Sequence, residues 1–416
     1  MKSKFLHLIA TISLLTTLSS CILTKKSNLE MIYQKYDSSY STNNFKIRKI
    51  DSLLKKDNFI NALDVSMVDL IQENGGKYYN FKNQEEDFFS LIKSNNINTI
   101  RVRLFNDYNS PIRIKGAGKL DIERVLNIFL KAKQNNLKLI LDFHFSDTWA
   151  DPTNQICPFT WQSLSYEELL EEVYDYTKSI INFYKDNDIF IDYIQIGNEI
   201  DNGLIHPFGQ IDYSSEQTIN DGFNRIASII NSSAKAIREV STKTKIIIHT
   251  ANAIKNVYGE PYDGLYFFDK LKQRNVDFDI IGSSFYSFIN ETKIETISYS
   301  IDKIAEKFNK PFMLMEYSYG FTDLIHPYAN NILSKDNQLE DYPLSIQSQT
   351  NQIIDIIEQV SNSKYGIGTC YWGGEWIPVK NCGWGDENTK SSWSNQALFT
   401  YEGLALTTLK LFKEIY

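Results

Sequence analysis

Two spacings of apolar residues alternate along most of the chain. Short runs rich in β-branched and aromatic residues predict strands at "NALDVSMV", "NTIRVRLF", "KLILDFHF", "IDYIQIGN", "KIIIHTAN", "DIIGSSFY", "PFMLMEYS" and "IGTCYWGG". Between them, "EEDFFSLIKSNN", "DIERVLNIFLKAKQNN", "YEELLEEVYDYTKSIINFYKDN", "GFNRIASIINSSAKAIREV", "SYSIDKIAEKFN" and "SQTNQIIDIIEQVSNS" carry helical spacing. Eight strand-helix units over 59–416 predict a (β/α)8 TIM barrel with loop insertions. A doubly wound open sheet is the rival fold. It ordinarily brings a Gly-rich turn after an early strand, and no G-x-G-x-x-G motif is present.

The N-terminal stretch breaks the alternation. Lys2 and Lys4 precede the apolar "FLHLIATISLLTTL", and "LSSC" follows, ending on Cys21. This resembles a bacterial lipobox, which implies a signal peptide over 1–20, an acylated Cys21, and a domain tethered to a membrane at the cell surface. The alternatives are a signal peptide cut elsewhere or an N-terminal membrane anchor. Residues 21–58 are rich in Ser, Asn, Lys and Tyr without a long apolar period, and predict a flexible spacer lifting the domain off the membrane, partly ordered at best. No later stretch reaches the roughly 18 apolar residues of a membrane helix.

Composition narrows the partners. The formal charge is −8, and no Lys/Arg cluster exists beyond "LTKK", which argues against nucleic acid. The 25 Tyr and 25 Phe suit a protein that stacks sugar rings, although much of this content is core. Apart from Cys21, the cysteines are Cys157, Cys370 and Cys382, with no C-x-x-C pair, so neither a disulfide framework nor a zinc site is indicated. A single Cys370 to Cys382 bridge stays open.

A barrel makes a further demand: polar and titratable residues should collect where each apolar run stops, because the active site of this fold lies at the C-terminal ends of the strands. They do. Asp64 and Ser66 end the first run, Arg101 and Arg103 lie on the second, and the third enters Asp142, His144, Ser146, Asp147 and Trp149. Asn198 and Glu199 end the fourth, followed in order by His249, Tyr286, Glu316 and Trp372. Glu199 and Glu316 each follow an almost uncharged strand, and strands four and seven lie across the mouth of an eight-stranded barrel. Two convergent carboxyls are the equipment for cleaving a glycosidic bond: one protonates the leaving oxygen, and the other attacks the anomeric carbon or activates water. The plain structural alternative pairs each Glu with Arg101, Arg103 or a lysine.

"GNE" at the fourth strand with a Glu at the seventh resembles the retaining clan of barrel glycoside hydrolases. "DFHFSDTWADPTNQ" and "IQIGNEIDNGLIHP", with "LDVS", "IRVRLF", "IIIH", "DFDIIGSSFYSF", "FMLMEYSY", "YWGGEWI" and "WSNQALFTYEGLAL", are similar to the arabinogalactan endo-β-1,4-galactanases of glycoside hydrolase family 53, in order from about residue 60 to the C-terminus. The resemblance implies Glu199 as general acid/base and Glu316 as nucleophile, with carboxyls about 5–5.5 Å apart. It implies that Asn198 bonds the sugar 2-hydroxyl, that Arg103 with Arg101 keeps Glu316 ionised, and that Tyr286 holds the nucleophile. Asp142, His144 and His249 would line the pocket floor, Asp147 would bind substrate, and Trp149 and Trp372 would be platforms for galactose rings. A monomer acting on polysaccharide, with no required cofactor, is expected. A calcium site occurs in the strand-seven loop of some relatives, but "TDLIHPYANNILSKDNQ" has no spacing that establishes one.

The chain departs from the family at His206, at Gly373 and Gly374, and in "HTANAIKN", which lacks the acidic residues expected after the His. These lie at the mouth and bear on subsite preference. They keep open two other readings: a retaining hydrolase of another β-linked glycan such as mannan or glucan, and a glycan-binding lipoprotein without turnover.

Overall fold

A computed structural model describes residues 27–112, 118–255, 257–261, 263–289, 293–384 and 388–416. Signal peptide and Cys21 lie outside the described residues. Eight parallel strands close into a barrel in sequence order: β1 (Ile60–Asp64), β2 (Thr99–Leu104), β3 (Lys138–Phe143), β4 (Tyr193–Ile196), β5 (Lys245–Thr250), β6 (Ile280–Ser284), β7 (Phe312–Tyr317) and β8 (Gly366–Tyr371). Every predicted strand is present, trimmed at its C-terminal end where the polar residues begin.

Helices cover the outside: α1 (Phe88–Ser94), α2 (Ile122–Gln134), α3 (Tyr166–Asp186), α4 (Glu216–Val240), α5 (Gly264–Gln273), α6 (Ile297–Phe308) and α7 (Ile346–Asn362). Six of the seven starts follow from side chains that accept orphan backbone N–H groups: Asp87, Asp121, Ser165, Ser215, Asp263 and Ser345. Sequence spacing does not reveal α5, because "GLYFFDKLKQ" opens on a glycine and crowds aromatics on consecutive positions. After β8 the expected last helix is a single turn, Leu411–Glu414.

Two apolar layers hold the barrel. The larger lies between strands and helices. A smaller plug inside the barrel unites Ile60, Ala62, Ile140, Ile247, Ile280, Met313, Met315 and Cys370. That plug fills the lower barrel, so the polar groups above it have a dry floor.

The spacer reading is corrected over 27–58. Tyr33, Tyr36 and Tyr40 are buried in a cluster with Phe321, Ile346, Tyr401, Leu404 and Leu406. Polar anchors follow along the same side: Thr322 Oγ1 donates to the Tyr36 carbonyl (2.8 Å), Asp37 accepts from the Ile346 N–H (3.0 Å), Arg48 pairs with Glu358 (2.7 Å), and Lys56 donates to the Gly366 carbonyl (3.0 Å). The aromatic residues that look like part of a polar linker are what attaches it, because all three tyrosines bury their rings, and Tyr33 and Tyr36 also donate their hydroxyls to the Ala405 carbonyl and to Glu402.

Cys157, Cys370 and Cys382 are free and buried, which removes the open Cys370 to Cys382 alternative. Among the described residues, no helix is long and apolar enough to cross a membrane.

Candidate active site

The strand register sets the polar floor. Arg101 pairs with Asp64 across β1 and β2, Asp142 pairs with Arg103 and Gln195, and Ser284 pairs with Glu316. Glu316 reaches the centre through an irregularity. Ser283 is opposite Leu314 but Ser284 is opposite Glu316, so Met315 is an extra residue in the ladder. Met315 joins the interior plug, and the bulge lets the next residue face inward as well. At the end of β4, Gly197 (φ +74°) and Glu199 (φ +48°) turn the backbone through the left-handed region, which swings Glu199 over the barrel axis.

Arg101, 1% exposed, organises the floor. Nη1 donates to Glu316 Oε1 (2.8 Å), and Nη2 donates to Asp142 Oδ2 and Asn198 Oδ1 (2.8 Å each). Nε donates to Gln195 Oε1 (3.2 Å). The cation that touches the seventh-strand glutamate is therefore Arg101, and this corrects the emphasis on Arg103. Arg103 instead lies 4.2 Å from the Trp149 ring centre and 3.5 Å from Asp64.

The two glutamates have different surroundings. Burial and the charge of Glu316 push the Glu199 pKa well above the usual carboxyl range, and Ser284 Oγ donates to its Oε1 at 2.6 Å. Burial also raises Glu316, but Arg101 and the Tyr286 hydroxyl (2.8 Å to Oε2) oppose it. One carboxyl is set to hold its proton and the other is supported as an anion, the division of labour that acid-assisted bond cleavage needs.

The other expected residues divide. Asn198, Asp142, His144, Trp149 and Trp372 line the cleft with both glutamates and both arginines. Burial works against an Asp142 anion, yet Arg101 and His144 hold its pKa below normal. His144 accepts from the Ala150 N–H at Nδ1 (3.0 Å), so Nε2 carries the proton toward Asp142 at 3.2 Å. His249 is fully buried beneath the cleft, its Nδ1 3.0 Å from Asn198 Oδ1 and its Nε2 2.9 Å from Ser284 Oγ. Burial, with Arg101 nearby, drives its pKa well below normal.

Asp147 is corrected: it is buried away from the cleft and accepts from the Asp107 (3.0 Å) and Phe159 (2.8 Å) N–H groups, tying the loop after β3 in place. His206 also sits outside the cleft lining, its Nε2 3.0 Å from the Asn202 carbonyl. At the other departure, a side chain on Gly374 would meet Leu63 Cδ1 at 2.6 Å.

Reading by strand ends missed Gln195, Ser284, Trp384 and Trp393. Gln195 Nε2 donates to Asp142 (2.8 Å) and Asn198 (3.0 Å). Its signal was an inward-facing amide within an Ile-rich strand. Trp384 stacks on Trp149 at 4.3 Å, and Trp393 meets Trp372 at 4.4 Å and Tyr286 at 5.3 Å, so the platform is a shared aromatic wall. Nothing in the spacing of 372–393 announces that meeting. Among the described residues, no cluster of His, Cys, Asp and Glu is arranged to hold a metal.

A closed (β/α)8 barrel with two buried, differently biased carboxyls over an arginine-centred floor and beneath a tryptophan wall defines a barrel glycoside hydrolase. A model described as glycosyl hydrolase family 53 matches residues 60–412, and the chain belongs to that family. It is 32% identical over 364 residues to an uncharacterized protein of Niallia circulans, spanning 86% of this chain and 95% of that one. It is 29% identical over 412 residues to an endo-beta-1,4-galactanase of Bacillus subtilis, spanning 91% of each. Among solved structures, the GH53 catalytic domain of Ignisphaera aggregans superposes with a TM-score of 0.81 at 32% identity, covering 89% of this chain and 99% of that one.

Proposed function

We propose that the protein is an endo-acting hydrolase of β-1,4-galactan, working as a monomer by a retaining mechanism and anchored to a membrane through an acylated Cys21. The observation that carries the chemistry is the contrast between Glu199, whose pKa is pushed well up by burial, and Glu316, bonded to Arg101 and Tyr286. The galactan comes from the Bacillus subtilis relative, and the anchor from the lipobox resemblance.

In the first half of the reaction a Glu316 oxygen attacks the anomeric carbon while the bond from that carbon to the bridging oxygen breaks. Glu199 gives its proton to the departing oxygen. The negative charge lost from Glu316 is replaced by that left on Glu199, so the net charge of the site is unchanged. In the second half the Glu199 carboxylate takes a proton from water, the water oxygen bonds to the anomeric carbon, and Glu316 is released as the anion held by Arg101 and Tyr286. Asn198 Nδ2, which donates to the Ala150 carbonyl at 2.8 Å, has a second hydrogen for the sugar 2-hydroxyl. The tryptophan wall stacks the apolar faces of the rings.

The test is product release by the mature chain from unbranched β-1,4-galactan, beside mannan, xylan and β-glucan, with Glu316→Ala as control. Galacto-oligosaccharides with initial β-configuration, lost by several orders of magnitude in the variant, support the reading. Equal mutant sensitivity on a different polymer would reassign the substrate, which the Gly373 and Gly374 departure motivates. Binding without turnover on every polymer would discard hydrolysis. Acylation is decided separately by the mass of the chain recovered from membranes.

A further inference from the structure

The strap over 27–58 has a direction. Tyr36 lies at Thr322 in the loop after β7, at the catalytic end of the barrel, and Asp37 meets Ile346 at the first turn of α7. Arg48 then meets Glu358 further along α7, and Lys56 meets Gly366 at the start of β8, at the opposite end. The strap therefore runs beside α7 from the catalytic end to the far end before entering β1. Ser27, where the described chain begins, belongs to the catalytic end. Only five residues lie between it and Cys21, a reach of at most about 20 Å over six peptide steps.

That corner of the molecule is unusually apolar. Four exposed large hydrophobic side chains fall within nine residues of the loop after β7: Leu324 (42% exposed), Ile325 (85%), Tyr328 (41%) and Ile332 (40%). Met31, on the first turn of the strap, is 50% exposed. Tyr401 joins the two segments, its ring 5.3 Å from Tyr36 and its hydroxyl donating to the Leu324 carbonyl at 2.8 Å. Three of the four loop residues are aliphatic. Sugars are held by flat aromatic faces and planar polar groups, so this composition suits hydrocarbon better than glycan. Lys25 and Lys26 immediately precede the strap and favour anionic headgroups, whereas the −8 chain as a whole is repelled by them, so any contact is fixed by this local patch.

We propose that the apolar loop after β7 docks on the lipid bilayer that carries the N-terminal anchor, holding that flank of the catalytic end against the membrane. The inference rests on the tethered reading given under Proposed function. A lipid at Cys21 supplies one attachment and the loop a second, so the barrel is oriented on the surface and not swung on a stalk.

The test uses the chain from Cys21 to Tyr416, coupled through the Cys21 thiol to a maleimide lipid in phosphatidylethanolamine and phosphatidylglycerol vesicles. Cys157, Cys370 and Cys382 are buried and do not compete for the reagent. Because the coupling is chemical, the outcome is independent of whether cells acylate Cys21. Hydrogen exchange read by mass spectrometry is compared with the free chain. Amides over 321–334 are expected to slow several-fold on vesicles, while 185–192, at the opposite end, keep their rates. The double variant Leu324→Ser with Ile325→Ser should abolish the slowing and release sugar from soluble galactan at the wild-type rate. Equal exchange over 321–334 in the tethered and free chains would overturn the proposal. Slowing in the free chain that grows with protein concentration would also overturn it, in favour of a second copy as the occupant.

Discussion

Ser284 Oγ lies 2.6 Å from Glu199 Oε1, and the same hydroxyl is 2.9 Å from His249 Nε2. The proton donor is thus held from β6, by a residue two strands away from its own, and a buried imidazole fixes that residue. A hydroxyl donating to a carboxyl favours its ionised form. Ser284→Ala should therefore raise the Glu199 pKa further and move the basic limb of the kcat/KM profile to higher pH. Losing one hydrogen bond to a charged group costs about 1.5–3 kcal/mol, or roughly 10- to 150-fold in rate, felt mainly where the carboxylate acts as base. An unmoved basic limb with an unchanged rate would show that Ser284 is only packed there.

The two buried arginines predict opposite kinetic signatures. Arg101 makes fork contacts to Glu316, Asp142 and Asn198 that one ammonium cannot reproduce. Arg101→Lys should lower kcat by roughly 100-fold or more, in line with a charge pair worth about 3–5 kcal/mol when broken. Because Arg101 counters the burial that raises the Glu316 pKa, the weaker contact should let that pKa climb, so the acidic limb moves to higher pH. Arg103 lies over Trp149, so Arg103→Lys should act chiefly on KM, through the platform. Steady-state profiles of both variants decide it, and an acidic limb shifted by Arg103→Lys alone would reverse the assignment.

What the sequence makes legible here has a physical pattern. Buried parallel strands are near-continuous apolar runs, so the strands and the polar residues at their ends stand out, and Glu199, Glu316, Asn198 and Tyr286 could be named from spacing and resemblance. Arg101 and Arg103 could not be told apart, because both face inward from one strand and only the stagger of the closed barrel decides which reaches Glu316. Ser284 stayed hidden because a serine at a strand end is unremarkable until β7 is seen to carry its bulge. Asp147 misled for the converse reason: a carboxylate in the right loop points at two backbone N–H groups. The strap misled most, since its polar composition outweighs three tyrosines whose partners lie roughly three hundred residues away in sequence.

If the strap is part of the folded domain, damaging it should cost global stability. Tyr33 is fully buried, and its ring meets Tyr40 edge-on at 5.0 Å. Tyr33→Ala removes that packing, and large aromatic truncations cost about 3–5 kcal/mol. A melting temperature lowered by about 3–6 °C is expected, with the activity of the folded fraction retained. A flexible linker would show no change in calorimetry.

Glu375 offers a test of opposite sign. It is 1% exposed, accepts from the Met67 N–H at 3.2 Å, and its pKa is raised from 4.5 to about 8, by burial first and by Asp64 second. The folded carboxyl keeps its proton up to about 8, while the unfolded chain releases it near 4.5. Folding therefore becomes less favourable as pH rises from 4.5 towards 8, and the penalty levels off above that. Glu375→Gln keeps the shape and the acceptor for Met67 but has no proton to lose. The variant should match wild type near pH 4.5 and melt about 2–5 °C higher at pH 8. A difference in melting temperature that stays constant with pH would mean that Glu375 is ionised in the folded protein, with Arg103 as the cation that outweighs its burial.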